Sequence, residues 1–589
     1  MTAPNRTALW AATTVEECVA AGIERAVIAP GSRSTPLVCA LADHDGIDTV
    51  VHPDERSAAF LALGQGRATG DPTAVVTTSG TAVANCHPAV MEADEGRVPL
   101  VVLTADRPPE LLDSGANQTT EQAGVFAGAP RFDRTLPEPA PESRRLRSLR
   151  VTVARAIDAA RGPPAGPVHL NVPFSKPLEP TPDGSVPDNL AERAPIGAAG
   201  RDGPMVRVER GVSVPRRATV DRVASALADA DRPALIVGPR GPPVPDRDPL
   251  VRLADRAGAP IFADPLSGHR FGNSEAIGAY DGLYATLDAP APDVVVRFGL
   301  SPTSKPLRER LAAADPRQFL VDPAREYREA TFHAGHVVGA DPTVLVDRVA
   351  DRLEPSPDGD RRPADPWVES VRRAADDYWA TIGAACHDAW TKGAVVRAIA
   401  ASVPDGTTLF AGNSMPVRDL DRFGAPADRT LTVHGNRGVS GIDGLTSTAL
   451  GIADAEGPVV TIVGDQSALH DIGGLIAADR IDGPATIVVL NDDGGGIFEE
   501  LPIADFEAFE EYFRAPHGRT FGDAAAMYDL DYRSVDDRVA VERALTDTVA
   551  VGGVSIVECD LRGADSHDWR ADVTEQVARA VDWEFPDER

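Results

Sequence analysis

Along the chain, short runs of β-branched and other apolar residues stop abruptly at Gly, Pro or Asp, and longer stretches with helical spacing lie between them. The first pattern predicts buried strands and the second amphipathic helices, so their alternation predicts an α/β protein built on parallel sheets. AVIAP (26–30), VVTTSG (75–80) and LVVLTADRP (100–108) read as strands in the first part of the chain. ALIVGPRG (234–241), APIFADP (259–265) and DVVVRFG (293–299) do so in the middle. VVTIVGD (459–465), TIVVLNDDGG (486–495) and VSIVECD (554–560) do so towards the end. Runs that are apolar at every position fit strands covered on both faces.

Two stretches break the pattern. Residues 179–215 and 353–366 are rich in Pro, Gly and charge, and such composition buries too little apolar area to fold alone. Read as linkers, they leave three domains, 1–185, 216–352 and 367–589, each expected to be a mainly parallel sheet with flanking helices. The first and last share a plan: a β-branched strand reaches a Gly, then come a small polar turn, a helix, and an apolar strand ending in Asp or Asn. Gly80 lies 26 residues before Asp106, and Gly464 lies 27 before Asn491.

Charge narrows the partners. The 589 residues carry a net charge of −31, which argues against nucleic acid and anionic membranes. Only Lys176, Lys305 and Lys392 among the 58 basic residues are lysines; the rest are arginines. Acidic excess with scarce lysine resembles the composition of a haloarchaeal-like, salt-adapted protein, because dense salt screens the self-repulsion of an acidic surface; the alternative is an ordinary acidic cytosolic protein of a GC-rich genome, which also favours Arg over Lys. The five cysteines show no paired or metal-binding spacing, as expected in a reducing compartment. No secretory signal pattern opens the chain and no apolar run is long enough to span a bilayer, so a cytoplasmic location is expected.

Candidate chemistry sits where strands end. In HPDERSAAFLALG (52–64), Asp54, Glu55 and Arg56 stand between a strand and a small-residue helix. Capping of that helix explains such carboxylates in general. Asp465 closes one strand and Asp492 another, and the glycines 494–496 follow. Strand ends of one sheet lie side by side, so two carboxylates and a carbonyl from Gly494 suit a hard cation such as Mg²⁺ that keeps ligands for phosphate oxygens. Glycines let backbone approach phosphate, and the helix after Asp465 offers N–H donors.

The spacing Gly464-Asp465-Gln466 to Asn491-Asp492 resembles the thiamine diphosphate motif, GDG followed after about thirty residues by NN. Two departures stand out: Gln466 replaces a Gly, and Asp492 replaces the ligand Asn. Longer segments narrow the resemblance: APGSRSTPL (29–37), HPDERSAAFLALG, TSGTAVAN (78–85), LTADRPPELLDSGANQTT (103–120), RFGLSPTSK (297–305), GNSMPVRD (412–419) and NRGVSGIDGLTSTALG (436–451). Together, and in this order, they resemble the 2-succinyl-5-enolpyruvyl-6-hydroxy-3-cyclohexene-1-carboxylate synthase family of menaquinone biosynthesis. The resemblance implies a pyrimidine-binding, a central and a diphosphate-binding domain, with thiamine diphosphate and Mg²⁺ (or Mn²⁺) as cofactors. It implies 2-oxoglutarate and isochorismate as substrates, and a homodimer or homotetramer with active sites between subunits.

The resemblance also assigns residues. Glu55 would hydrogen-bond the aminopyrimidine, and burial at the mouth of the sheet would raise its proton affinity. Arg56 and Asp54 keep surface and capping roles. Ile442 would be the apolar wedge that bends the cofactor. Ser414, Met415, Ser440, Gln466, Ser467, Gly496, Ile497 and Phe498 would line the cofactor beside Asp465, Asp492 and Gly494. Substrate carboxylates call for Arg33, Arg107, Lys305, Arg418 and Arg437, arginine being suited by its planar fork. Ser32, Gln118, Asn413 and Ser414 are the polar neighbours. His470 is read as structural, by a helix start. Rival readings are an acetolactate synthase-like carboligase or 2-oxoacid decarboxylase, and a nucleotide-binding regulatory protein, although residues 216–350 hold no convincing GxGxxG run.

The composition makes a prediction of its own: the protein melts at a higher temperature in molar KCl than in dilute buffer. A thermal melt that moves down or stays put with salt refutes salt adaptation.

Overall fold

The structure, a computed structural model, describes residues 3–353 and 366–583. The second predicted linker thus lies almost entirely outside the described residues. Three six-stranded parallel sheets with flanking helices account for the α/β pattern. Every run read as a strand is one. The first sheet comprises β1 (Arg25–Ile28), β2 (Asp48–Val51), β3 (Thr73–Thr77), β4 (Leu100–Asp106), β5 (Phe132–Thr135) and β6 (Pro167–Pro173), in the order β2-β1-β3-β4-β6-β5. The second comprises β7 (Pro233–Val237), β8 (Ile261–Ala263), β9 (Ala276–Ile277), β10 (Val294–Phe298), β11 (Arg317–Val321) and β12 (His336–Val338), in the order β12-β11-β10-β7-β8-β9. The third comprises β13 (Thr408–Ala411), β14 (Val433–His434), β15 (Val459–Gly464), β16 (Ala485–Asn491), β17 (Asp531–Val535) and β18 (Val554–Asp560), in the order β14-β13-β15-β16-β18-β17.

Numbered within itself, the third sheet repeats the order of the first. The likeness noticed between two strand-turn-helix stretches is therefore a likeness of whole sheets. The second sheet has the doubly wound order of dinucleotide-binding folds, but its first strand runs into Gly238-Pro239-Arg240-Gly241-Pro242 rather than a glycine fingerprint. β3, β4 and β6 are buried at every position, as their continuous apolar runs require.

By packing, the chain divides into two compact units: Met1–Arg210 with Asn436–Val459 and Ala468–Ala485, and Gly211–Gly435 with Val460–Ser467 and Thr486–Arg589. In the first unit, the stretch read as the first linker is not a free tether. Leu190–Arg193 and Pro195–Ala199 are short helices, and Leu190 and Ala194 join the core of the first sheet. The buried Arg150 guanidinium donates to the Gly197 carbonyl (3.0 Å) and to Ala198 (3.2 Å), and pairs with Glu16 at 2.6 Å. Proline and glycine removed the sequence periodicity, while a few apolar side chains and one arginine supply the docking.

The Glu55–Thr69 helix of the same unit is buried without interruption from Ser57 to Gly66. It packs on the Leu445–Glu456 helix, itself buried from Leu445 to Ala453. Two glycines allow the approach: a Cβ at Gly64 would lie 2.1 Å from the Thr448 carbonyl oxygen, and one at Gly451 would lie 2.0 Å from that of Leu61. Backbone therefore meets backbone, which no side-chain rotamer can relieve.

Gly64→Ala gains about 1 kcal/mol of helix propensity. Forcing the two backbones apart costs about 1–3 kcal/mol, so the expected net result is a lower midpoint in denaturant unfolding. A midpoint equal to or above that of the parent chain contradicts this packing.

Candidate active site

In the first sheet, the candidate residues lie just beyond the strand ends. Asp54 is the N-cap of the Glu55–Thr69 helix, accepting from the N–H groups of Arg56 (2.9 Å) and Ser57 (3.4 Å), as capping predicts. Glu55 is the first helical residue, beyond the end of β2 rather than on it, and it is half-buried rather than buried. Its Oε2 accepts from Asn85 Nδ2 at 3.0 Å, so the last residue of TSGTAVAN fixes its direction. Arg56 is more than surface charge: its guanidinium donates to the His470 carbonyl at 2.9 Å and stands 4.0 Å from Asp471. His470 ends its helix, Asp465–His470, instead of starting it.

Arg33 is buried and donates to the Phe174 carbonyl at 2.6 Å, while its Nε has no hydrogen-bond partner. Arg107 Nε is likewise buried without a partner. Burial first, then the positive charge of Arg107, lowers the proton affinity of Arg33. Next to them, Asp106 accepts from Arg107 N and Asn171 Nδ2, both at 2.7 Å, and burial raises its pKa. Two buried guanidinium N–H groups without acceptors are costly, about 1–3 kcal/mol each, and a carboxylate is the group that relieves them. Ser32 is exposed beside them. Gln118 is exposed at φ 55°, and its amide donates to the Ser79 carbonyl at 3.0 Å.

The NRGVSGIDG loop is held by a residue that pattern reading missed. Glu92, buried, accepts from Gly438 N (2.9 Å), Val439 N (2.8 Å) and Arg67 (2.9 Å). This grip leaves Arg437 half-buried, Ser440 exposed at φ 59° and Ile442 37% exposed. The loop thus presents an isoleucine side chain partly to solvent.

In the second unit, the ends of β13, β15 and β16 carry the rest. Asn413 is buried, Ser414 sits at φ 70° capping the Met415–Phe423 helix, and Met415 is buried at its start. Arg418, exposed one turn on, donates to the Ser414 carbonyl. Asp465, 1% exposed, accepts from Gln466 N (2.6 Å), Gly494 N (2.8 Å) and His517 Nε2 (3.1 Å). Burial first, then repulsion from Asp492, raises its pKa. Ser467 is buried behind it, and the Gln466 side chain donates to the Arg514 carbonyl at 3.2 Å. Ile497 and Phe498 are half-buried in a short turn, Phe498 edge-on to Phe513.

Asp492 is not simply open to a metal: Lys392 Nζ lies 2.5 Å from its Oδ2. The glycine run is sterically required, since a Cβ at Gly496 would lie 2.2 Å from that ammonium and 2.3 Å from the Asp492 oxygen, and one at Gly494 (φ 145°) would lie 2.4 Å from the Arg514 carbonyl. Two repelling carboxylates over a cradle without side chains fit a divalent cation carrying a phosphate. Among the described residues no group of three or more His, Cys, Asp or Glu is arranged for a metal. A cation here would therefore draw on Asp465, Asp492 and peptide oxygen, and complete its shell from its own ligands.

Lys305 starts the Lys305–Ala314 helix, 75% exposed, and stands 3.4 Å from Glu309 one turn on. Lys392, by contrast, is buried against a carboxylate. Its signal in the sequence was weak, since TKGAVV reads only as a helix start. His517 and Arg514 were missed for a similar reason, lying in and just after a short helix, Glu510–Arg514, some 50 residues beyond Asp465.

Comparison with known proteins agrees with this layout. Residues 10–125 match the family model described as thiamine pyrophosphate enzyme, N-terminal TPP binding domain, and residues 421–559 match the corresponding C-terminal TPP binding domain. A 2-succinyl-5-enolpyruvyl-6-hydroxy-3-cyclohexene-1-carboxylate synthase from Natronomonas pharaonis is 48% identical over 99% of this chain and 100% of its own length. Proteins of the same name from Haloarcula marismortui (47%, 99% of this chain and 100% of the relative) and from a Roseiflexus species (43%, 94% and 95%) are similar along their lengths.

One buried group gives a pH signature. Asp471 accepts from Ser447 N at 2.7 Å and Ser447 Oγ at 3.1 Å, and burial pushes its pKa up to about 6. A carboxyl raised from 3.8 favours the folded state fully below pH 3.8, and this contribution is lost as pH rises through about 6. The stability of the parent chain minus that of Asp471→Asn should therefore fall between pH 4 and 7, by about 2–3 kcal/mol at most. A difference that is flat or rises with pH across that window, in paired denaturant titrations, contradicts the assignment.

Proposed function

The chain belongs to the 2-succinyl-5-enolpyruvyl-6-hydroxy-3-cyclohexene-1-carboxylate synthase family of thiamine diphosphate-dependent enzymes, and we propose that it decarboxylates 2-oxoglutarate and transfers the resulting four-carbon unit to isochorismate. What carries the reading is likeness over the whole length, with relatives 43–48% identical along nearly all of the chain. In this reading the enzyme is a transferase of menaquinone biosynthesis, acting in the cytoplasm. Among the described residues no helix is long and apolar enough to cross a membrane. Residues 1–185 form the pyrimidine-binding domain, 216–352 a central domain and 367–589 the diphosphate-binding domain.

Thiamine diphosphate, when bound, supplies a carbon nucleophile and an electron sink for loss of CO₂. The protein residues bind, orient and neutralise. Glu55, directed by Asn85, would hold the pyrimidine ring of that cofactor by a hydrogen bond and assist proton transfer there. Ile442 would support the cofactor from its loop, with Ser440 on the same loop, and Met415 of the second unit would be a further cofactor-lining residue. Asp465 and Asp492 take Mg²⁺, or Mn²⁺, with a carbonyl of the glycine run, and Ser467 and Gln466 shape the phosphate side. Ile497 and Phe498 form an apolar wall that keeps water away. Substrate carboxylates fall to Arg33 and Arg107, with N–H groups lacking acceptors, and to Arg437, Ser32 and Gln118 in the first unit, and to Arg418, Asn413 and Ser414 in the second. Lys305, presented to solvent at a helix start, joins these cations as a substrate-carboxylate partner. The assembly is a homodimer or homotetramer with active sites between subunits.

The test is a reaction containing 2-oxoglutarate, isochorismate, thiamine diphosphate and Mg²⁺, run with each component omitted in turn. Product should require all four, and release of CO₂ from pyruvate in preference to 2-oxoglutarate would overturn the substrate assignment. Glu55→Gln should lower turnover about 10²–10⁴-fold with an unchanged melting temperature. Near-normal turnover in that variant removes Glu55 from the mechanism.

A further inference from the structure

We propose that Lys392 is a positioning residue that balances the charge of the phosphate cradle, holding it open to an anion at the expense of the bare divalent cation. The inference rests on the reading of Asp465 and Asp492 as the metal-bearing pair. It goes beyond that reading by giving the cradle a resident cation.

Lys392 is the first residue of the Lys392–Ser402 helix, anchored by its backbone N–H to Ser566 Oγ at 3.2 Å. From there Nζ reaches Asp492 Oδ2 at 2.5 Å, with side-chain exposures of 9% and 13%. Both partners are thus largely withdrawn from water, where their attraction is screened far less than on the surface. The pair fills the space in which Gly496 lacks a side chain. The other charges around it are paired among themselves: Arg570 with Asp419 and Glu500, and Arg514 with Glu499.

Without Lys392, two carboxylates would face an incoming diphosphate, and a divalent cation would bring their sum only to zero. With the ammonium in place the sum over these same groups is one positive charge higher. Lys392 therefore acts in opposite directions on two ligands. It competes with a bare cation for Asp492, and it attracts the anion that the cation carries. A side chain that only anchored its helix would shift both affinities the same way or neither. Lysine suits the task, being a compact charge on a flexible stem that can yield an oxygen to a metal while staying close.

The experiment compares the full chain with Lys392→Met, Asp492→Asn and the double variant. Mn²⁺ binding alone is followed by its free-ion EPR signal, and thiamine diphosphate binding at saturating Mg²⁺ by calorimetry. Lys392→Met should bind Mn²⁺ about 5–10-fold more tightly and thiamine diphosphate about 10-fold more weakly. Asp492→Asn should shift both affinities the opposite way, which keeps the test open should Lys392→Met fail to fold. The double variant, neutral at both positions, should return both to within about 3-fold of the parent. Shifts of one sign for both ligands, no shift, or a double variant that fails to recover would overturn the proposal. A parent chain that binds neither Mn²⁺ nor thiamine diphosphate would refute the reading of the cradle itself, and the role of Lys392 with it.

Discussion

A parallel sheet brings the ends of its strands side by side, and the turns that follow present their N–H groups and side chains along one edge. The candidate chemistry of this chain depends on that edge, which it uses twice with one strand order. After β1, β2, β3 and β4 come Arg33, Glu55, Gly80 and Arg107; after β13, β15 and β16 come Ser414, Asp465 and Asp492. The two edges have diverged in charge. Guanidinium groups flank the first, and paired carboxylates occupy the third. One scaffold thus presents one edge suited to carboxylates and another suited to a divalent cation.

This division answers a difficulty set by composition. A surface at −31 repels dianionic substrates, yet salt screens exposed charges beyond about 8 Å. Buried groups escape that screening. Arg33 and Arg107, with Nε atoms that no protein group satisfies, exert their charge where the surface field is weakest. The acidic exterior is damped by water and salt, while these buried guanidinium groups are not.

The parts of the structure that were legible are those governed by local chain chemistry. β-branched runs made strands, Asp54 made a cap, and glycine after Asp492 made a cradle. The parts that were not legible depend on long-range contact. Asn85 reaches Glu55 across 30 positions, and Lys392 reaches Asp492 across 100. Glu92 grips a loop 346 positions away. No periodicity encodes such distances. Residues 179–210 misled for the opposite reason: their composition describes a tether, while Arg150 and two apolar side chains bind them down. Glu55 lay where its motif put it, but as the first residue of a helix, which leaves it half-buried.

Lysine usage shows how far rarity can be taken as a guide. Of the three lysines in the chain, Lys305 stands inside a matching motif and lies 75% in solvent beside Glu309, while Lys392 is 9% exposed against Asp492. Rarity says that lysine is disfavoured overall, and it does not say why any one was kept. Burial does. An exposed lysine can become arginine at small cost, whereas at position 392 the head group ends within 2.2 Å of where a Cβ of Gly496 would stand. A guanidinium carries its charge on a longer, planar fork with five donors to satisfy. In that space it would have to displace either the glycine turn or the Asp492 carboxylate. The cradle geometry therefore selects the compact cation, and it does so independently of the forces that emptied the rest of the chain of lysine.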